Sequence, residues 1–189
     1  MEQGRALLGL PPGTTRIASF PATFMRRNAL GSVHATLAVD WAQYEAQGTS
    51  AIALYAPPSP DDAAVPAAEQ AAFERVAAEL GLRKMAPAEA VRRVEQHFTA
   101  NFAYATYRER EVPRGETALG DFLSRTRAGH CEYFAAAATL LLRAAGIPAR
   151  YATGYAVMEY SGLERAYIVR ARHSHSWTRA WTGDRWVDL

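Results

Sequence analysis

The side chains best suited to covalent chemistry are one cysteine and a closely spaced pair of histidines. Cys131 follows Gly129-His130 and opens an apolar run, Tyr133 to Leu142, that reads as a helix. At a helix start the backbone N–H groups lack partners and the helix dipole is positive. Both favour a thiolate, and the same N–H groups can hold an oxyanion that forms beside the sulfur. The structural alternative is a small buried hydrophobe, the common fate of a lone cysteine. His173-Ser174-His175-Ser176-Trp177 alternates at strand period, so His173, His175 and Trp177 are expected on one face. A strand holds a histidine at a fixed distance from a helix start, as a Cys–His pair requires. A metal site is the competing chemistry, with His173 and His175 as ligands and Cys131 as a third. The third member of a triad is an acid or amide that fixes the histidine tautomer. Asp184, in Thr182-Gly183-Asp184-Arg185, reads as a turn residue, whereas Asp188 lies in the closing strand and is the candidate acid.

The elements that must position these groups are legible along the chain. Ala67 to Leu80 reads as a helix stopped at Gly81. Pro87 to Asn101 reads as a second, with Pro in its first turn and Val91, Val94 and Phe98 forming one buried stripe. Asn101 to Ala105 looks extended, residues 108 to 115 form a charged loop, and Thr117 caps a short helix through Thr126. Cys131 to Ala145 is a strongly apolar helix ended by Gly146 and Pro148. Extended stretches follow at Ala149 to Met158, Arg165 to Arg172, Ser174 to Trp181 and Arg185 to Leu189. Helices followed by a run of strands predict an α+β fold with an antiparallel sheet. Residues 1 to 60 read as a β-rich N-terminal extension, with strands at Ser32 to Val39 and Ser50 to Tyr55. The Pro-rich stretch from Pro57 to Pro66 is the linker candidate, with an ordered loop as the alternative, and residues 61 to 189 are expected to form the domain that carries Cys131 and His175.

Composition narrows the function classes. The 189 residues are 49% hydrophobic and 21% charged, which excludes global disorder. With 21 basic against 19 acidic residues the chain carries no nucleic-acid footprint and no polybasic membrane patch. A single cysteine excludes a disulfide scaffold and a multi-thiolate zinc site. No stretch reaches the ~18 apolar residues of a membrane helix, so the segment is expected to be soluble. The N-terminus lacks the layout of a signal peptide. The last residues, Trp186 to Leu189, stop in mid-strand, as expected of a segment of a longer protein.

Taken in order, Gly129-His130-Cys131-Glu132-Tyr133-Phe134-Ala135, Leu142 to Arg150, Gly154-Tyr155, His175-Ser176-Trp177 and Trp186 resemble the bacterial transglutaminase-like core, part of the papain-like superfamily of Cys–His–Asp enzymes. The resemblance covers roughly residues 66 to 189, and Asn101 to Tyr104 and Asp121-Phe122-Leu123 fit it too. It implies a nucleophile helix packed on an antiparallel sheet, Cys131 as nucleophile, His175 as general base, and no cofactor. It further implies a membrane-anchored bacterial parent whose transglutaminase-like domain lies on the periplasmic side of the inner membrane. One departure matters. The family's acid follows the last-strand tryptophan by four positions, which falls just past Leu189, whereas Asp188 is two positions after Trp186. Either the acid lies beyond Leu189 or Asp188 substitutes for it.

The leading expectation is acyl transfer on a protein or peptide amide through a Cys131 thioester. The alternatives are a cysteine peptidase or amidase of the same superfamily and a non-catalytic peptide-binding module. Lys84 is the single lysine, so extensive self-crosslinking through lysine is not expected. Bland readings hold for the neighbours: His130 points away, Tyr133, Phe134 and Trp177 pack, and Arg143 and Arg150 tie the helix to the sheet.

Overall fold

The computed structural model describes residues 5–11, 13–28, 32–37, 42–49, 56–106 and 112–189. The chain divides into two compact units, Met1–Pro57 and Pro58–Leu189. In the first, β1 (Arg5–Leu7), β4 (Val33–Leu37) and β3 (Ala22–Arg27) form an antiparallel sheet in that order. A second pair joins β2 (Thr14–Ala18) to β5 (Glu45–Gly48). Val33 and Ala35 point inward from β4, and Tyr44 donates its hydroxyl to the Gly9 carbonyl at 2.8 Å while packing edge-on against Phe20. The strand expected at Ser50 to Tyr55 lies outside the described residues, as do 38 and 39 of the preceding one.

The second unit opens on a 3-10 turn, Pro60–Ala63, followed by α1 (Ala67–Glu79) and α2 (Pro87–Asn101). The linker candidate is therefore ordered and docked over part of its length. Gly81, at φ +70, turns the chain after α1, and Pro87 starts α2 where a missing N–H costs nothing. Ala90, Val91, Val94 and Phe98 form the expected stripe, widened by one residue. Next come β6 (Ala103–Tyr104), α3 (Ala118–Asp121) running into a π turn at Phe122–Thr126, and β7 (Ala128–Gly129). The Thr117 hydroxyl accepts the Gly120 N–H at 2.9 Å, capping α3 as its sequence position predicts. Of the charged loop, residues 108 to 111 are outside the described part.

Helix α4 (Cys131–Ala144) is the centre of this unit. Eight of its residues are buried, because α1 and α2 cover one side and a sheet covers the other. That sheet is antiparallel in the order β12 (Trp186–Asp188), β11 (Ser174–Trp181), β8 (Ala149–Tyr155). A hairpin of β9 (Glu159–Ser161) and β10 (Ala166–Ile168) connects β8 to β11. Ala171–His173, expected as extended chain, instead forms a 3-10 turn. The α+β class and the helix-on-antiparallel-sheet core expected from the sequence are what this unit builds.

Candidate active site

The start of α4 is anchored on both sides. Ala103 donates its N–H to the Arg127 carbonyl and Ala105 donates to the Gly129 carbonyl, each at 2.8 Å, so a short parallel β6–β7 ladder fixes the two residues before His130. Gly129 fits closely there: a β-carbon would sit 3.0 Å from Tyr133 Cβ and 3.1 Å from its ring. Phe122, fully buried, packs against both Tyr133 and Phe134 in the first turn of α4. His130 lies edge-on to Tyr133 with its Nδ1 3.9 Å from the Glu132 carboxylate. The carbonyl of His130 accepts the Tyr133 and Phe134 N–H groups. The Cys131 and Glu132 N–H groups have no acceptor among the described residues. Cys131 itself is half-buried and free of any disulfide.

The register of α4 against β11 locates the second group. Thr178, fully buried, donates to the Ala135 carbonyl at 2.8 Å and lies 3.2 Å from the Thr139 hydroxyl. Further along, Arg143 Nε donates to the carbonyl of Ala149, which pairs with Ala180. Residue numbers on α4 and β11 therefore rise together. Moving back, Cys131 lies one turn before Ala135, about 6 Å along the helix. His175 lies three residues before Thr178, about 10 Å along the strand. Both stand at the same end of the helix–sheet pair. Alternation sends Ser176, Thr178 and Ala180 to the α4 side and His175, with Trp177 and Arg179, to the other. His175 is exposed, and no hydrogen bond joins it to Cys131 among the described residues.

Asp188 is not brought to His175. It pairs with Arg179, and its Oδ1 accepts from Arg179 Nε at 2.6 Å and from Trp177 Nε1 at 3.2 Å. The far edge of the Trp177 indole crosses Gly154, where a β-carbon would sit 2.9 Å from Cη2. Gly154 is the cross-strand partner of His175. Asp188 thus holds one end of a ring whose other end lies beside the histidine.

His173 does not share the strand face expected for it. It closes the 3-10 turn, 8% exposed, where its Nδ1 accepts the Arg170 N–H at 3.2 Å and its Nε2 faces Glu159 at 3.9 Å. The turn hydrogen bond captures the ring before the strand begins. Glu159 in turn takes two hydrogen bonds from Arg170, which hold its carboxyl below the ordinary range. No group of three His, Cys, Asp or Glu side chains able to hold a metal exists among the described residues.

Arg143 ties α4 to β8, as expected, and its Nη1 also donates to the Ala64 carbonyl. Arg150 does something the sequence did not suggest. Its guanidinium makes a two-point pair with Asp62 at 2.9 Å in each arm and stacks 4.0 Å over the Trp186 ring. Burial pushes the Asp62 carboxyl up, but Arg150 and the Ser59 N–H and hydroxyl outweigh it and hold the group below its ordinary value. The Ser-Pro-Asp-Asp spacing at 59 to 62 was the available signal, a capping-box pattern within the Pro-rich stretch.

A family model for the transglutaminase-like superfamily matches residues 74–189, well over half of the sequence. The chain belongs to that superfamily. Two curated relatives agree. A Bacillus subtilis protein described as uncharacterized protein YebA is 35% identical over 103 residues, 51% of this chain and 14% of its own length. A Pseudomonas aeruginosa protein-glutamine gamma-glutamyltransferase is 36% identical over 76 residues, 40% of this chain and 11% of that protein. The transglutaminase-like chain thus corresponds to a small part of either relative. Two crystal structures of the periplasmic domain of TgpA from Pseudomonas aeruginosa share the fold. One has a TM-score of 0.66 at 22% identity, covering all of this chain and 65% of that one. The other, bound to ethylmercury, has a TM-score of 0.60 at 25% identity, covering 84% of this chain and 54% of that one. Among the described residues no helix of the transglutaminase-like chain is long and apolar enough to cross a membrane.

Proposed function

We propose that this chain is a cysteine-dependent acyltransferase acting on carboxamide groups of proteins or peptides, with Cys131 as nucleophile and His175 as general base. The observation that carries the reading is the end of α4. A cysteine occupies its first position, two N–H groups there have no acceptor among the described residues, and the one histidine of β11 stands at the same end. The similarity to a protein-glutamine gamma-glutamyltransferase points to the glutamine side chain as the acyl donor.

In this reading His175 takes the Cys131 proton, the two groups coming within hydrogen-bond reach as substrate binds. The thiolate attacks the carboxamide carbon, and the S–C bond forms as the carbonyl electrons move to oxygen. The Cys131 and Glu132 N–H groups receive that oxyanion. The C–N bond then breaks, and ammonia departs with the proton from His175, leaving a thioester. An amine attacks the thioester, gives its proton to His175 and releases the Cys131 sulfur as the new amide forms. Water in place of the amine yields the carboxylic acid.

Asp188 serves this site through Trp177, whose ring it holds beside His175. Leu189 and Thr178 exchange both backbone hydrogen bonds, at 3.1 and 2.9 Å. A chain continued past Leu189 in that register sets its first residue opposite Trp177, one diagonal step from His175. An aspartate there is placed to orient the imidazole. The periplasmic side of a bacterial inner membrane is the proposed location, by likeness to the TgpA periplasmic domains.

The test is the pH dependence of iodoacetamide alkylation of Cys131, the single thiol, in the wild type and in His175→Ala. Rapid labelling well below pH ~8.5, the ordinary thiol value, slowed at least tenfold in the variant, is the expected result. Labelling of ordinary rate, unchanged in the variant, overturns the reading. Incorporation of a labelled amine into a glutamine peptide then separates acyl transfer from hydrolysis.

A further inference from the structure

The outer edge of β8 has the form of a peptide-binding site. Among the described residues strand β8 is the last in its sheet and pairs with β11 alone. Ala156 donates to the His173 carbonyl at one end, and Trp181 donates to the Pro148 carbonyl at the other. Antiparallel pairing alternates, so the even-numbered residues between them direct their backbone groups at β11. Those of Ala149, Tyr151, Thr153 and Tyr155 point outward. Arg143 takes the Ala149 carbonyl. The N–H and C=O groups of Tyr151, Thr153 and Tyr155 have no hydrogen-bond partner among the described residues. They repeat every second residue, about 6.7 Å, a spacing matched by an extended polypeptide.

Exposed strand edges are ordinarily blunted by charge, proline, a bulge or short length. This one has none of these devices. Its pairing with β11 runs without a shift from Ala149 to Tyr155, Tyr151 to Tyr155 is uncharged, and the neighbouring Arg150 is committed to Asp62. The edge also leads to the chemistry. Gly154, between Thr153 and Tyr155, is level with His175, and this is the end of the sheet at which α4 begins with Cys131.

We infer that the edge from Tyr151 to Tyr155 receives the acyl-donor substrate as an added antiparallel or parallel strand. The preferred substrate is then a glutamine within an extended, unstructured segment, not one on a folded helix. The inference rests on the acyltransfer reading for the identity of the reacting residue. The backbone pairing itself depends only on the strand edge.

The probe is the capped nonapeptide Gly-Thr-Ser-Val-Gln-Val-Ser-Thr-Gly, added at millimolar concentration to the 189-residue chain carrying Cys131→Ala, which cannot turn it over. Amide hydrogen exchange is followed by NMR. The Tyr151, Thr153 and Tyr155 amides are expected to exchange rapidly in the free protein and to slow at least tenfold with peptide. Arg150, Ala152 and Gly154, already paired with β11, should change little. N-methylation of alternate peptide residues gives a second readout: one set of positions should weaken binding at least tenfold and the other set should not. Unchanged exchange at the three outward amides overturns the inference. So does protection already present without peptide, or protection that grows with protein concentration alone, which marks a second copy on the edge. Equal effects of the two N-methylated sets also overturn it. Cys131 alkylation in the wild type keeps the two ideas separate. Fast, His175-dependent labelling without amide protection removes strand addition only, and amide protection with ordinary labelling removes the acyltransfer reading only.

Discussion

The two ends of α4 are treated in opposite ways. At the C-terminal end the carbonyls are taken up. Ile147 and Gly146 donate back to Leu142 and Arg143, and Arg83 donates to Ala144 at 3.0 Å. Arg143 reaches forward to Ala149 and sideways to Ala64, buried enough that desolvation pushes its guanidinium below the ordinary value. At the N-terminal end the fixing is done from beneath, by the β6–β7 ladder and by Phe122 under Tyr133 and Phe134. The first two N–H groups are left without acceptors among the described residues. The first N–H groups of any α-helix lack intrahelical partners, and those of α1 are uncapped too. The start of α4 differs in carrying Cys131 beside them, where they can receive charge that forms at the sulfur.

Breaking the unsatisfied end should cost chemistry and spare stability. Cys131→Ala is expected to lower ammonia release from a glutamine peptide by about 10³-fold or more, with the melting temperature within a degree or two of wild type. Removing the support beneath it should do the reverse. Phe122→Ala empties a fully buried ring site and is expected to lower stability by about 4 kcal/mol in urea unfolding. Unchanged ammonia release in Cys131→Ala would mean that the first turn of α4 contributes packing alone.

The far end sharpens the contrast. Asp62→Ala removes the carboxylate of a buried ion pair with Arg150 and should cost about 3 kcal/mol, while the pH profile of Cys131 alkylation stays that of the wild type. Because the folded-state value of Asp62 lies below its unfolded value of ~3.9, its contribution is fully present above that pH. It is lost as pH falls through the folded value. Urea midpoints of wild type and Asp62→Ala should therefore converge below pH ~4. A gap that persists in acid would mean that packing, not charge, sets the penalty.

Asp188→Asn is the smallest effect. The Arg179–Asp188 contact is shorter than the Arg150–Asp62 one, 2.6 against 2.9 Å, but the Asp188 carboxylate is 61% exposed against 8% for Asp62. Exposure decides between them, and the loss should stay below about 1 kcal/mol. A change in Trp177 fluorescence or in the alkylation rate without a change in stability would register the positioning role.

How much of this could be read from the residues differs by element. The limits of α2 and β11 coincide with the expected ones, because Pro87, the Val91-Val94-Phe98 stripe and strict alternation from Ser174 onward are local signals. Cys131 at the head of α4 follows equally from Gly129 before it and the apolar run after it. His173 could not be placed this way: alternation extends its strand by one residue, but the Arg170 N–H and the Glu159 carboxylate close a turn there. The partner of Asp62, 88 residues away at Arg150, leaves no mark on the periodicity of either segment.

Helix ends, strand period and the order of the chemical groups were thus determined by the sequence alone, since each depends on interactions within about one turn or one strand repeat. Tertiary structure decided which carboxylate meets which cation, that Asp188 meets Arg179 and Trp177 and not His175, and which backbone groups stay unpaired at α4 and at the edge of β8. Those outcomes depend on strand register and helix docking. In a sheet a shift of one residue turns every side chain to the opposite face, so they are set only when the core closes.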